Sequence, residues 1–484
     1  MLSFAPDALD IAPEQLSAVS AVPTMRGYKT PPAGVDMAGA QFSGTPTGAS
    51  FLVGLDGSSR TFVATSTYIY EYSSGTWTDR SRVGNYSSGS ARWRFAQFGD
   101  TELAINKSTV LQSSTTGAFA DVSNAPKAAC MEVVAGFVML ADTNDSGLSI
   151  TGGPNADQGH RWWCSQLFNA TGTWAPAAST QATTGLLVET PGSIKQLKRL
   201  NNDCIAYKAR SIYIGRYTGG AAVWTWQCVS QDTGTDAPDS VASVGGRHFF
   251  IGEADFYAFD GQSVQPIGAL VRDWFFGRLN KSYLSNIRTL HDRSARVVYW
   301  FYPSGSDGTL NSAVCYHYDT QRWGAFDITV QEVVETVTGT VTYDSLGNLY
   351  TNYDDLPNIA YDSPFWNANT PVLAYVSSTG YLTSLSGTSS SMTMTTGYFG
   401  DEATVSVCTR VRPRFRSSPT SATLVPHQTM QLGDSPTVSG SSSTLHNGRF
   451  DVLRAGRFHR FALTFSGSCE VEAITPTLVP QGEE

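Results

Sequence analysis

Charge is what this chain has least of. Only 15% of its 484 residues are Asp, Glu, Lys or Arg, against about a quarter in an average globular protein. The balance is acidic, with a net charge of −9. This excludes a protein that grips nucleic acid by overall charge, because phosphate binding needs clustered Lys and Arg. The seven cysteines (Cys130, Cys164, Cys204, Cys228, Cys315, Cys408 and Cys469) never come closer than 24 residues. No CxxC unit exists, and the odd, scattered set reads as buried thiols in a reducing compartment.

Motifs of catalysis are also missing. There is no GxSxG and no P-loop. No two histidines stand at i, i+4, so no zinc site is expected. DTNDSG (142–147) begins like a calcium loop, but Gly153 holds the twelfth position where a bidentate Glu belongs, and an Asx-type turn is the simpler reading. Glu253, Asp255 and Asp260 lie in one hairpin-like stretch and read as turn and surface groups. No enzyme activity and no cofactor or metal is expected. The N-terminus, MLSFAPDALDIAPEQ, lacks the basic and apolar regions of a signal peptide. The most apolar stretch, Val133–Ala141, falls well short of the roughly 20 residues of a membrane span. The chain is therefore expected to work in the cytoplasm or within an assembled particle.

What the sequence has is Gly, Ser, Thr and aromatics. Aromatic residues make up 12% and hydrophobic residues 41%, enough for a sizeable core. Residues 1–45 are rich in Pro, Ala and Gly without a clear period, and read as an extended arm that packs on a neighbouring chain. From about residue 46 a pattern recurs: a hydrophobic strand, a Tyr-rich strand, then a turn into an aromatic. The segments are 61–81, 101–123, 202–226, 247–268 and 296–327. Landmarks fall at Trp77, Phe119, Trp174, Trp224, Val264 and Trp323, spaced as the roughly 40–50 residues of a four-stranded propeller blade require. SSGTW, TTGAF and DGQSV read as short hairpin turns, with Gly where positive φ is needed. The fold expected is all-β: an N-terminal arm (1–45), a β-propeller body (46–365) and a C-terminal β-sandwich-like domain (366–484). A β-sandwich with long loops is the alternative to the propeller. One short helix is expected near 269–284, with Trp274 and Phe275 on its apolar face and a subunit contact as its role.

The strongest charge pattern is CTRVRPRFRS. On a strand, period two puts Arg410, Arg412, Arg414 and Arg416 on one face. Such a row is a salt-bridged subunit interface, a phosphate ladder or a solvated face. The interface reading is preferred. A second cluster, Lys195, Lys198 and Arg199, reads as a surface loop.

Three segments resemble one family. GTDAPDSVASVGGRHFFIGEADFYAFDGQSVQPIGALVRDWFFGRLN (234–280) is similar to the central repeat of tail hub or nozzle proteins of short-tailed bacteriophages, also called packaged-DNA stabilisation proteins. MRGYKTPPAG (25–34) resembles the family's N-terminal arm, and the segment 450–482 its C-terminal strand pair. Ala254-Asp255-Phe256 departs from the family's usual Asp-Gly before the aromatic. The resemblance implies a hexameric ring in the virion tail, assembled in the host cytoplasm. It also implies a portal adaptor above the ring, tail fibre or plug proteins beside it, and double-stranded DNA passing through the lumen. Six copies would carry roughly −54, a charge that repels the phosphate backbone and eases its passage. The competing reading is a receptor-binding or carbohydrate-binding propeller, in which the Tyr and Trp faces stack on sugars. The structural alternative is that those aromatics fill the spaces between sheets.

Overall fold

Alternating burial along short strands, punctuated by tight turns, leaves the chain only sheets to form. The computed structural model describes every residue except 1, 9–11, 14, 38–40, 74, 90, 149–155, 221, 338–370, 390, 433–435, 439–442 and 484. It is 56% strand and 4% helix, an all-β protein with many four-stranded sheets, compatible with a propeller-like fold. The chain divides into two compact units. Val35–Pro266 and Val330–Leu385 form a repeat unit, and Met1–Gly34, Ile267–Thr329 and Ser386–Glu484 form a terminal unit. The expected boundary near 365 lies outside the described residues. Pro371–Val376, expected in the C-terminal domain, belongs to a sheet of the repeat unit.

Among the described residues, the repeat unit contains six four-stranded sheets. Sheets 1 to 5 follow the chain, and their first strands are Gly48–Val53, Arg94–Phe98, Lys127–Val134, Gln196–Leu200 and Ala242–Val244. Each is a meander with antiparallel neighbours, as in Arg94↔Ile105 of sheet 2. Sheet 6 combines Glu332–Val337, Pro371–Val376 and Leu382–Thr388 with Pro32–Asp36 from the opposite end of the sequence. Hydrophobic clusters join the sheets in chain order. Phe62 of sheet 1 meets Trp93 and Phe119 of sheet 2; Leu103 meets Trp163 of sheet 3; Trp162 meets Tyr213 and Trp224 of sheet 4. Ile205 then meets Phe250 of sheet 5. Val376 of sheet 6 packs with Val63 and Phe42, returning to sheet 1. The aromatic landmarks thus largely face inward, and Trp163 and Trp174 are fully buried.

Two expectations need correction here. The segment 296–327 is not one of these six sheets. Its strands Val297–Tyr302, Leu310–His317 and Arg322–Val330 pair with Arg288–Asp292 in a separate sheet of the terminal unit. Period-two alternation identifies a strand but not the sheet it joins, and sheet 6 is closed by a strand some 350 residues from its neighbour. The hairpin turns also differ in length. In SSGTW, Ser73 pairs with Thr76 and Gly75 has φ 80°. In TTGAF, by contrast, the paired residues are Ser113 and Ala120.

In the terminal unit an eight-stranded sheet and a five-stranded sheet pack through contacts such as Phe415 against Phe465, 5.7 Å between ring centres. The N-terminal segment, expected as an arm on a neighbouring chain, is built into its own unit. Ser3–Phe4 pairs in parallel with Gln15–Leu16, and Tyr28–Lys29 pairs with Glu470–Val471. The reason is Tyr28. Its fully buried hydroxyl donates to the Trp323 carbonyl at 2.7 Å and accepts from the Phe4 amide at 2.7 Å. Gly27 beside it is forced, because a Cβ there would lie 1.9 Å from the Val471 carbonyl oxygen. The helix expected near 269–284 is a two-turn helix, Arg272–Arg278, followed by a 3₁₀ segment, Lys281–Asn286. It stops where Leu279 turns extended and the Asn280 side chain caps Ser282.

Tyr28→Phe removes both bonds and takes from the buried Phe4 amide its acceptor. It should destabilise the terminal unit by about 1–3 kcal/mol, seen as a lower urea midpoint for that unit's transition, with the repeat unit's transition unmoved.

Candidate functional site

Uncharged strands pack by burying apolar faces, so a charged residue near the start of a first strand needs a partner there. Arg92 and Arg94 open the first strand of sheet 2, Asp239 sits in the 3₁₀ turn (Pro238–Ser240) before sheet 5, and Glu332 begins sheet 6. All four meet. Arg92 forks onto Glu332 through both terminal nitrogens and donates Nε to Asp239 at 2.9 Å. Arg94 donates Nε to the other Asp239 oxygen at 3.2 Å and a terminal nitrogen to the Ala129 carbonyl of sheet 3. Gln196 of sheet 4 reaches Asp239 at 3.4 Å. Residues of sheets 2 to 6 therefore converge on one neutral cluster of two guanidinium and two carboxylate groups. Burial works against the charge of Arg92, but Glu332 and Asp239 more than offset it and hold the guanidinium protonated above its ordinary range. The Glu332 side chain is 1% exposed.

A second ion group lies between sheets 1 and 2. Glu71 takes Arg60 Nε at 2.6 Å and Arg80 Nε at 2.6 Å. Burial raises the Glu71 carboxyl, yet these two arginines hold it below the usual range. Nearby Glu102 is 0% exposed and has one charge-neutral partner, the Ser50 hydroxyl; its other oxygen has none among the described residues. Burial pushes its carboxyl up to about 7, with Ser50 and the more distant Arg60 opposing.

In DTNDSG, Asn144 Oδ1 accepts from the Ser146 amide at 3.1 Å, as in the Asx-type turn expected there, and the ammonium group of Lys107 bridges Asp142 and Asp157 at 2.8 Å each. Gly153 lies outside the described residues. No group of three or more His, Cys, Asp or Glu side chains suited to a metal occurs among the described residues. Among them, too, no helix is long and apolar enough to cross a membrane. Glu253 pairs with Arg210, Asp255 accepts from the Phe256 amide and Asp260 caps Gln262 and Ser263, so the three carboxylates stay in turns. Six of the seven cysteines are buried. Burial pushes the thiols of Cys130, Cys164 and Cys408 up to about 12, which keeps them protonated.

The arginine row lies on the long strand Thr404–Ser417, in the five-stranded sheet between Glu470–Glu483 and Phe450–Gly456. Val411 and Pro413 point inward and are buried, while Arg412, Arg414 and Arg416 are exposed and Arg410 is half-buried. Arg414 pairs with Glu472 at 2.7 Å and Arg416 approaches Glu470 at 3.7 Å. Arg410 and Arg412 have no acidic partner among the described residues. The exposed Leu453 stands on the neighbouring strand, 74% accessible. Lys198 and Arg199, expected in a surface loop, lie instead on the strand Gln196–Leu200, and Lys195 and Arg199 are tied locally to Asp236 and the Asn201 carbonyl. The helix pair splits. Phe275 is fully buried against Tyr302, 4.8 Å between rings, and cannot serve a subunit contact, because its unit's own core needs it. Trp274 is half-buried, edge-on to Phe4 at 5.1 Å.

The chain matches no family model and no curated protein. Among solved structures, the computationally designed Ika8 protein aligns with a TM-score of 0.36 and 10% identity, covering 72% of this chain and 98% of that one.

Two results are expected. Arg92→Met strands Glu332 and Asp239 and should destabilise the repeat unit by about 3–5 kcal/mol, measured by urea denaturation. Glu102 keeps a proton in the folded state that the unfolded chain releases above its usual value of 4.5. Its contribution to stability therefore falls as pH rises from about 4.5 to about 7 and is flat beyond. Glu102→Gln should remove that slope and raise the melting temperature at pH 8, where the wild-type carboxylate is charged.

Proposed function

We propose that this chain is a structural subunit of a short bacteriophage tail, a hub or nozzle that assembles as a ring, a hexamer as in the tail proteins that its three segments resemble. The observation that carries the proposal is the arginine row. An acidic chain with few charges places Arg412, Arg414 and Arg416 exposed on one strand beside a half-buried Arg410, and among the described residues Arg410 and Arg412 have no carboxylate partner. Guanidinium groups held in a flat, periodic row are suited to pair with carboxylates of a neighbouring subunit.

The repeat unit is read as a six-bladed β-propeller. Support comes from the hydrophobic clusters that join sheets 6, 1, 2, 3, 4 and 5 in order. Between sheets 5 and 6 the Asp239–Arg92–Glu332 chain takes the place of such a cluster. Pro32–Asp36 then acts as the clasp that closes the last blade with a strand from the other end. On this reading the first strands surround an axis filled by the ion cluster, which leaves no path for DNA through one propeller. The channel belongs to the assembled ring, whose wall is acidic. That ring would retain packaged DNA and conduct it on ejection, bound to an adaptor above and to tail fibre or plug proteins beside it.

The Tyr and Trp residues that suggested a sugar-binding propeller are mostly packed between sheets, so the repeat unit offers no specific support for that reading. Arg412→Glu with Arg414→Glu tests the ring. The double variant should fold normally by circular dichroism but fail to form the oligomer that the wild type forms, by light scattering. A variant that assembles as well as the wild type removes the strand from the interface.

A further inference from the structure

The terminal unit holds a cleft of about 240 Å³ that none of the above uses. This is near the lower end of small-molecule sites, which run to roughly 300–1,000 Å³, and suits a single ring. Among its aromatic lining residues Trp274 is half-buried, while Phe4 and Phe326 show almost no surface. Its polar groups are of both kinds. Arg278 lies over the Trp274 ring, 5.2 Å from its centre, and beside the Tyr302 hydroxyl. Asp327 accepts from the Ser312 hydroxyl at 3.0 Å through one oxygen, and its second oxygen has no partner among the described residues. The exposed hydroxyl of Thr393 completes the lining.

The combination narrows the ligand. A simple anion would meet the Asp327 carboxylate, and a simple cation the Arg278 guanidinium. A neutral molecule that donates to Asp327, accepts from Arg278 and lays an apolar face on an aromatic ring satisfies all three at once. Hydroxyl groups do both, since each carries one donor and two acceptor lone pairs. A pyranose ring has such hydroxyls around its edge and C–H bonds on its faces. The guanidinium is also held in place by the indole beneath it, so little side-chain entropy is lost on binding.

We propose that this cleft binds one sugar residue of a glycan, with a C–H face against the part of Trp274 that the Arg278 guanidinium leaves uncovered and neighbouring hydroxyls shared between Arg278 and Asp327. The site stands apart from the ring reading, which neither requires it nor falls with it. For a virion component the class of partner would be a cell-surface polysaccharide.

The test is saturation-transfer NMR on the full chain with methyl pyranosides of glucose, galactose, mannose and N-acetylglucosamine, followed by titration of any that respond. At least one should bind, and Arg278→Ala and Asp327→Ala should each weaken it by about tenfold or more, the loss expected for one hydrogen bond to a charged group. Both residues are exposed, so both variants should keep the wild-type circular dichroism. Trp274→Phe, which keeps a ring in the wall, should weaken binding less than either. No response from any glycoside at its solubility limit overturns the proposal. So does binding that neither variant changes, or competition by a free zwitterionic amino acid that binds better than every glycoside.

Discussion

Arg92 is a half-buried cation held by carboxylates in a chain that has few charges to spare, and the arrangement of the repeat unit depends on satisfying it. Taking a guanidinium out of water costs several kcal/mol unless carboxylates replace the lost hydration. Here they come from Asp239 and Glu332, 147 and 240 residues away. Apolar clusters tolerate small shifts of one sheet against the next. A forked arginine does not, because both carboxylates must meet its fixed geometry. The cluster thus fixes how sheets 2, 5 and 6 sit together, while the apolar contacts between consecutive sheets supply most of the burial.

The same economy governs the terminal unit. Its sheets are sewn together by residues from both ends of the sequence: Tyr28 reaches Trp323 and Phe4, and Thr30 Oγ1 accepts from the Cys469 amide at 3.0 Å. At the arginine row, Arg410 and Arg412 have no acidic partner among the described residues. A surface ion pair contributes little to stability, so a row of this kind is better understood through what it can meet than through what it holds up.

Much of this was legible in the sequence. The β class followed from alternation and turn residues, and the buried Val411 and Pro413 alternate with the exposed Arg412 and Arg414 as period two expects, while the register shifts around Phe415, before Arg416, were not legible. Other features were not legible, for physical reasons. Nothing local distinguishes Val297–Tyr302, in the terminal unit, from the strands of the repeat unit, because sheet membership is set by long-range pairing. Pro32–Asp36 looked like part of an arm because Pro and Gly hide a strand whose partner lies far along the chain. Phe275 looked like a surface contact because a helical face was expected to run from 269 to 284, and the helix ends at Arg278. The ion cluster left one faint signal, charged residues at the start of strands whose interiors are apolar: Arg92 and Arg94 in RWRF, and Glu332 before Val-Val.

The central claim is that this chain is a ring subunit seated on a phage adaptor. It is tested most directly by the native mass of the purified protein, alone and mixed with a portal–adaptor complex from a short-tailed phage. The account predicts a closed oligomer, formed in solution or on the adaptor, with a mass that is an integral multiple of the 52.1 kDa chain. A protein that stays monomeric in both conditions and does not bind the adaptor would contradict it.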